Sequence, residues 1–220
     1  MRNLFNIDSP LMQKLSLFGT LILMNALWLL CCIPIVTIGA STTALYRITF
    51  DLRENKGGRL VDFFRTFRDN FRQSSLIWLI DLLGAIVLFL LYGLIAYVDI
   101  SDLGRVLALA VFFLLFLVWF FSLLYCFALT AYFENTLKNT LVNAFAMSFR
   151  HLRQTIVCAA LTLLPLAVAF LSFKWFLILG FVWVFVYPGL AIYWKSGQIS
   201  NVFANYTPDA DQPDSDSFSE

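Results

Sequence analysis

The stretch Val106–Tyr132, which reads VLALAVFFLLFLVWFFSLLYCFALTAY, decides the fold because none of its side chains is charged. An α-helix rises 1.5 Å per residue, so roughly 20 apolar residues cross the ~30 Å hydrocarbon core of a bilayer. This stretch exceeds that length. We therefore predict that it crosses a membrane as a helix.

Four other stretches share this character and predict four more spans, over residues 15–38, 76–98, 155–173 and 175–194. Asp81 is the only charged residue in all five. Over the whole chain 60% of residues are hydrophobic and 13% are charged, whereas about a quarter are charged in a soluble domain. The composition predicts an all-α, polytopic transmembrane helical bundle of about five spans, in which residues 1–203 form one domain, and it excludes a water-soluble enzyme.

The distribution of Lys and Arg predicts the orientation of the spans, because positive side chains are concentrated in short cytoplasmic loops. If the N-terminus lies outside, most basic residues fall inside: Arg47, Arg53, Lys56, Arg59, Arg65, Arg68, Arg72, Lys138, Arg150, Arg153 and Lys195. Arg2, Lys14, Arg105 and Lys174 then lie outside. We expect a multi-pass protein of the cell (plasma) membrane with an outside N-terminus and a cytoplasmic C-terminus. The net charge of +1 provides no field that would attract nucleic acid.

Two amphipathic helices are predicted on the cytoplasmic side, over residues 59–75 and 136–154. In the first, apolar residues at helical spacing form one face: Leu60, Phe64, Phe67 and Phe71. Helices of this kind lie in the membrane surface, with basic side chains near lipid headgroups. The candidate lipid or partner contacts are Phe67, Arg65, Arg68, Arg72, Arg150 and Arg153.

The two amphipathic helices resemble an internal repeat. A shift of 81 residues places Phe64 on Phe145 and Arg72 on Arg153. Each copy precedes a pair of spans, so the repeated unit would be an interfacial helix followed by a transmembrane hairpin. The alternative is chance similarity between two juxtamembrane helices of like composition, and the sequence leaves both interpretations open.

Helix-breaking residues interrupt the end of the first span. Pro34 lacks an N–H donor and Gly39 tolerates positive φ, so we expect the helix to stop and to restart at Ser41 or Thr42 with a hydroxyl cap. A broken helix at membrane depth must face protein or water. This makes the segment a candidate binding or gating element, whose candidate residues are Pro34, Thr37, Gly39, Ser41 and Thr43. The alternative is a plain helix end followed by a tight turn at the cytoplasmic boundary.

Two polar side chains inside the predicted spans are further candidates. A carboxylate in a bilayer is costly unless it is paired, hydrated or protonated. Asp81 is therefore expected either to bind a structural partner, such as Tyr46, Arg47 or a hydroxyl of the break, or to form a proton or cation site. Asn25 is expected to hydrogen-bond between helices or, alternatively, to contact a polar substrate.

The sequence offers no constellation for catalysis, a cofactor or a metal. The four cysteines lie in apolar spans without CxxC spacing, and His151 is the only histidine. Nucleophile-elbow, Walker A, GxGxxG and HExxH motifs are absent. We expect that the protein is not an enzyme. Residues 204–220 contain acidic side chains and no basic one, and they predict a disordered tail.

The N-terminal region resembles the YesL family of small bacterial integral membrane proteins. The shared features are Phe5, Asp8, Ser9-Pro10, Asn25 with Trp28, the run PIVTIGASTTALY at Pro34–Tyr46, and the Phe-rich helix from Asp62 to Gln73. The resemblance implies an association with ABC-type carbohydrate uptake, although the molecular activity of the family is not established.

Two functions follow as expectations. The first is a non-catalytic accessory or regulatory membrane protein that works with components of an ABC-type sugar transporter. The second is a small-solute transporter or channel that uses Asp81, Asn25 and the broken helix. Membrane lipid is an expected partner of either, and a second copy of the chain is another candidate.

Overall fold

The structure, a computed structural model, describes residues 10–99, 101–204 and 206, and all secondary structure in that part is helical. The α-helices are α1 (Pro10–Cys31), α2 (Ile38–Arg53), α3 (Leu60–Asp69), α4 (Phe71–Tyr97), α5 (Asp102–Tyr132), α6 (Leu137–Arg150), α7 (Leu152–Leu171), α8 (Phe173–Ile178), α9 (Gly180–Phe185) and α10 (Tyr187–Phe203). A short 3-10 helix, Ile35–Thr37, connects α1 to α2. Apart from Ala204 and Tyr206, the predicted acidic tail lies outside the described residues, as do Phe5, Asp8 and Ser9.

Four helices are long and apolar enough to cross a membrane, over Met12–Cys31, Phe71–Tyr97, Asp102–Tyr132 and Leu152–Leu171. Their outer faces display large apolar side chains such as Phe89, which is 75% exposed. Apolar surface of this extent requires lipid around it. The predicted helical membrane bundle is therefore confirmed.

The predicted span 175–194 is not one helix. It is built from α8, α9 and the first half of α10, which are separated at Leu179 and Val186. Pro188 lies in the first turn of α10, where its missing N–H costs no helical hydrogen bond. Any crossing by this stretch is made by three consecutive helices.

Helices α1 and α2 form an antiparallel hairpin. The Trp28 indole Nε1 donates a hydrogen bond to Thr42 Oγ1 at 3.2 Å, next to the turn. At the open end, a Cβ built on Gly58 would lie 3.0 Å from the Thr20 methyl. Late α1 therefore faces early α2, and the middle of α1 faces the residues after α2.

This hairpin bears on the expected orientation of the first span. If the N-terminus lies outside, residues 15–38 cross the bilayer, and Lys14 and the basic residues after Arg53 lie on opposite sides of it. Lys14 is six residues from Thr20, about 9 Å along the helix, and Thr20 contacts Gly58. Lys14 and the 54–59 loop therefore lie at the same end of the hairpin.

Helix α2 lies at the centre of the molecule although it is not strongly apolar. Its sequence, IGASTTALYRITFDLR, contains four Ser and Thr hydroxyls and three charged residues, and yet eleven of its sixteen residues are buried. It packs against α1, α3, α4, α5 and α10. Phe50 contacts Tyr132 and Phe203 with ring centroids 5.2 Å and 6.0 Å apart. The core is therefore assembled around a helix that neighbouring helices shield from lipid.

Both predicted interfacial helices are shorter than expected, because each divides before its span begins. Residues 59–75 divide at Asn70 between α3 and α4, and residues 136–154 divide at His151 between α6 and α7. The Asn70 N–H bonds to Thr66 O, and the His151 N–H bonds to Met147 O, both at 3.0 Å. The two kinks are 81 residues apart, which is the predicted repeat shift.

Side-chain burial follows the same shift. Val61 and Val142 are 66% and 55% exposed, and Phe64 and Phe145 are 50% and 48% exposed. Three equivalent pairs are fully buried instead: Phe63 with Ala144, Ser74 with Thr155, and Ile77 with Cys158. The matching kinks and these matching burials favour the repeat over chance similarity. The repeated unit is a short helix, a kink and a long apolar helix.

Candidate functional site

The break between α1 and α2 is a tight turn that satisfies its own backbone. The Thr37 hydroxyl lies 2.5 Å from Cys31 O and 2.6 Å from Pro34 O and donates to these two carbonyl groups. Ile33, Ile35 and Val36 are exposed on the outside of the turn. The segment has the form of the expected alternative, a helix end followed by a turn.

The restart of the helix differs from the prediction. Helix α2 begins at Ile38, before the expected Ser41 or Thr42. The Ser41 hydroxyl donates to Thr37 O at 2.8 Å, and the Thr42 hydroxyl donates to Ile38 O at 2.7 Å. Both hydroxyls bond to the carbonyl four residues earlier, as helical Ser and Thr commonly do, so neither caps the N-terminus.

Gly39 and Thr43 fasten α2 to the beginning of α4. A Cβ on Gly39 would lie 2.3 Å from Ser74 O and 2.9 Å from Trp78 Cβ. One turn later, Thr43 Oγ1 and Ser74 Oγ form a buried hydrogen bond of 2.9 Å. A small residue that allows close backbone approach, followed by a hydroxyl pair, is typical of helix contacts in membranes. These two candidates therefore join helices.

Asn25 joins α1 to the last helices. It is fully buried, and its Nδ2 donates to Val184 O at 3.1 Å. Gly189 of α10 packs against it: a Cβ built on Gly189 would lie 3.1 Å from Asn25 Cβ. This is the expected interhelical hydrogen bond. The Oδ1 atom of Asn25 is buried and has no partner among the described residues.

Asp81 lacks the structural partner that was expected for it. The side chain is 7% exposed, and its Oδ2 atom has no hydrogen-bond partner in the described part of the chain. Arg47 pairs with Asp51 at 3.3 Å, and the buried Tyr46 stacks on Phe50 at 6.2 Å between ring centroids. Neither residue reaches Asp81.

Other buried polar atoms of α4 and α5 are also unpartnered in the described residues: Ser75 Oγ, Trp78 Nε1 and Trp119 Nε1. Trp119 Nε1 lies 2.8 Å from a Cβ built on Gly84, one turn after Asp81. Buried polar atoms without a hydrogen-bond partner are costly, and α4 carries three of them: Ser75 Oγ, Trp78 Nε1 and Asp81 Oδ2.

A polar cleft of about 660 Å³ opens where α2, α3 and the kink at Asn70 meet the C-terminal end of α5. Its charged lining residues are Arg47, Asp51, Asp62, Arg65, Asp69 and Glu134. Thr130–Tyr132, the last residues of α5, line the same cleft, and the C-terminal end of a helix carries negative partial charge. The cleft therefore presents two cations within a surplus of acidic groups.

The walls of the cleft are held by specific bonds. Gln73 Nε2 donates to Asn135 O at 2.9 Å and to Thr140 Oγ1 at 3.1 Å, which ties the start of α4 to α6. Arg59 makes a two-pronged ion pair with Asp62, at 2.7 Å and 3.1 Å, and this hydrogen bonding holds the pKa of Asp62 below its ordinary value. Burial raises the pKa of Asp51, against the opposing charge of Arg47.

Sequence inspection did not identify this cleft, because its residues come from three separate segments. The sequence signal was the charge density of residues 47–69, which we used for the orientation of the spans and for the lipid or partner contacts of the first amphipathic helix. None of the residues Pro34–Thr43 lines the cleft. The polar cleft is therefore separate from the break between α1 and α2.

The outer faces of α3 and α6 display the predicted mixture of apolar and basic side chains, with one correction. Phe67 is half-buried and packs against the core, whereas Phe64 is exposed. Five of the predicted basic contacts are exposed: Arg65, Arg68, Arg72, Arg150 and Arg153. Among these, Arg150 also donates to the Tyr206 hydroxyl at 3.3 Å.

The described residues contain no group of His, Cys, Asp and Glu arranged to hold a metal ion. Cys126 and Cys158 are buried, Cys31 and Cys32 are half-buried, and all four are free thiols. The His151 ring contacts the Tyr206 hydroxyl at 3.2 Å from Nε2.

Residues 21–100 match the model of a family described as a protein of unknown function, DUF624. The matched segment runs from the middle of α1 to the end of α4 and is less than half of the chain. It includes the second half of α1, all of α2 and α3, and Asp81, but not the second copy of the repeat. No curated protein matches the chain, and no solved structure matches it.

Proposed function

We propose that this protein is a non-catalytic accessory or regulatory component of the cell membrane that works with an ABC-type carbohydrate uptake system. The polar cleft between α2, α3 and α5 is the observation that supports a docking role. The carbohydrate context rests on the resemblance to the YesL family.

The cleft suits a protein segment better than a reacting substrate. It is open, and it offers charges of both signs at separate positions, with Arg65 on one helix and Glu134 on the loop after α5. A partner with complementary charges gains specificity and association rate from such a surface. The partner is expected to insert a charged loop or helix from the cytoplasmic side.

A photo-crosslinking amino acid at Glu134 tests this proposal in intact membranes. The same amino acid at Phe89, which faces outward from the middle of α4, is the control for nonspecific capture. We expect transporter components to be captured from position 134 and not from position 89. Identical products from both positions, or capture of lipid alone from position 134, would remove the docking role. Cross-links to a second copy of the chain would identify self-association in place of a transporter partner.

We propose that both termini lie on the cytoplasmic side. The α1–α2 hairpin places Lys14 at the same end as Lys56 and Arg59, so Arg105 and Lys174 are the only described basic residues left for the other side. This distribution agrees with the positive-inside rule better than the orientation first expected. Gly39 contacts the first two turns of α4, so the hairpin enters and leaves from that same side. Helices α4, α5 and α7 and the α8–α10 stretch then make four crossings.

A small-solute transporter or channel is the second candidate, and the unpartnered Asp81 carboxylate is the observation that favours it. An uncompensated buried carboxylate is costly and marks a functional site by default. The break gives no support, because Thr37 satisfies its carbonyl groups and its apolar residues face outward. Solute flux into liposomes that contain the purified protein, lost in Asp81→Asn and kept in Asp99→Asn, would favour transport. No flux for any solute in a broad panel would exclude it.

A further inference from the structure

We propose that α3 and α6 form two equivalent docking surfaces for the anionic lipids of the cytoplasmic leaflet. This surface is independent of the polar cleft and of any protein partner. Each copy consists of exposed Val and Phe side chains on the short helix, one kinked residue, and an exposed arginine in the first turn of a helix long enough to cross the membrane.

The first argument is position. A single residue, Asn70, separates α3 from α4, and a single residue, His151, separates α6 from α7. Neither short helix can therefore lie far from the boundary at which its span enters the bilayer. The exposed apolar stripe of α3 continues through Phe71 onto the lipid-facing residues at the start of α4, such as Leu76 and Leu79. The lipid that covers α4 therefore has a continuous path onto α3.

The second argument is the matched exposure of apolar side chains. Val61 with Phe64 and, in the other copy, Val142 with Phe145 are exposed to nearly the same degree. Leu152 is the counterpart of Phe71, and both are exposed. A face with exposed Val and Phe in water would lead to association, whereas the same face in the acyl-chain boundary of a leaflet is stable.

The third argument is charge. Arg72 and Arg153 are equivalent in the repeat, both are exposed, and neither has an ion-pair partner in the described part of the chain. Each is the second residue of its long helix, two positions after the kink, so it lies where the span begins. Guanidinium groups bind phosphate with two parallel hydrogen bonds. This arrangement fits phosphate headgroups above acyl chains.

The fourth argument distinguishes lipid from a protein occupant. The two copies share the exposed Val, Phe and Arg positions although other positions differ: Arg65 and Arg68 of α3 correspond to Ala146 and Phe149 of α6. One protein partner would have to recognise two separate helices in different surroundings. A leaflet meets both helices at once, because both precede spans.

Native mass spectrometry of the purified full-length protein, titrated with phosphatidylglycerol or phosphatidylcholine, tests the headgroup part of the proposal. Each arginine near an anionic surface contributes about 1 kcal/mol, or about fivefold. We expect Arg72→Gln and Arg153→Gln each to weaken phosphatidylglycerol binding about fivefold and the double variant about 25-fold. Arg105→Gln with Lys174→Gln, at the opposite ends of the spans, is the matched control and should leave binding unchanged.

The apolar part is tested by quenching. A fluorophore attached to Cys at position 64 or 145, with Cys31 and Cys32 replaced by Ser, is placed in vesicles that contain lipids brominated on their acyl chains. Both positions should be quenched strongly, and Lys56→Cys in the same background should not. Quenching at only one of the two positions would overturn the equivalence of the copies. Equal loss of phosphatidylglycerol and phosphatidylcholine binding in the double variant would overturn recognition of anionic lipid, and circular dichroism would show whether the variant is folded.

Discussion

Gly39 lies against the carbonyl group of Ser74 so closely that a methyl group on Gly39 would be 2.3 Å from the oxygen. This contact joins the first turn of α2 to the first turn of α4. The Thr43–Ser74 hydrogen bond continues the contact one turn later. The position therefore requires glycine because of the neighbouring backbone, whatever its φ.

Gly39→Ala should destabilise the protein. The added methyl group must displace the backbone of α4, and overpacking of this kind typically costs about 1–3 kcal/mol. The measurement is the midpoint of thermal unfolding in detergent. Gly93→Ala is the matched control, because a Cβ at Gly93 meets nothing within 4 Å. An unchanged midpoint for Gly39→Ala would show that α2 and α4 are not packed as described.

Asp51→Asn should increase stability relative to the parent protein as the pH rises. Folding raises the pKa of Asp51 because the carboxyl group is buried. Its contribution to stability is therefore complete below the unfolded pKa, near 3.9, and is lost as the pH rises through the folded pKa. Asparagine is uncharged throughout. Thermal unfolding midpoints measured from pH 4 to pH 8 should show that the midpoint of Asp51→Asn rises relative to that of the parent protein as the pH increases.

Asp62→Asn should give the opposite response. The hydrogen bond from Arg59 lowers the folded pKa of Asp62, so its contribution is present above the unfolded pKa and is lost as the pH falls through the folded pKa. The variant should be the less stable protein at neutral pH, and the difference should vanish in acid. If the stability differences between variant and parent changed with pH in the same direction for Asp51→Asn and Asp62→Asn, the environments described for these carboxylates would be contradicted.

Lys14→Cys and Lys56→Cys should react with a membrane-impermeant thiol reagent from the same side of the membrane. The reason is the antiparallel hairpin, in which Thr20 contacts Gly58. Lys174→Cys should react only from the other side. The experiment uses right-side-out and inside-out vesicles, with Cys31 and Cys32 replaced by Ser in every variant. Reaction of Lys14→Cys together with Lys174→Cys would restore the orientation that the sequence first predicted.

Asp81→Leu should stabilise the isolated protein by about 1–4 kcal/mol, because a buried carboxylate without a partner is replaced by an apolar side chain. Asp81→Asn should give a smaller gain, since the amide is still a buried polar group. Reversible unfolding in detergent with increasing dodecyl sulfate measures both. A loss of stability in Asp81→Leu would mean that a water molecule or another group satisfies Asp81 in the native protein.

The sequence was sufficient to predict the membrane bundle, because the charge-free runs have the length that a bilayer imposes. It also favoured the interhelical bond of Asn25 and raised the 81-residue repeat as one of two interpretations. It did not predict the hairpin. Hydropathy identified residues 15–38 as one crossing, and the long-range contacts Trp28–Thr42 and Thr20–Gly58 cannot be seen in a local pattern.

The candidate site was predicted only in part for the same reason. Helical periodicity placed Phe64 and Phe67 on one face, but tertiary packing half-buries Phe67 and leaves Phe64 outside. The polar cleft depends on bringing Asp51, Asp69 and Glu134 together, and no spacing in the sequence records that proximity. Asp81 was recognised because a charge in an apolar run stands out, but the absence of a partner needed the structure.

The enclosure of α2 constrains the order in which the protein is assembled during synthesis. This helix is too polar to partition into lipid alone, and the surfaces that cover it come from α4, α5 and α10. Phe203, whose ring contacts Phe50, is made last among them. The N-terminal hairpin therefore cannot complete its packing until α10 has been synthesised, and a chain that ends before α10 leaves α2 partly uncovered.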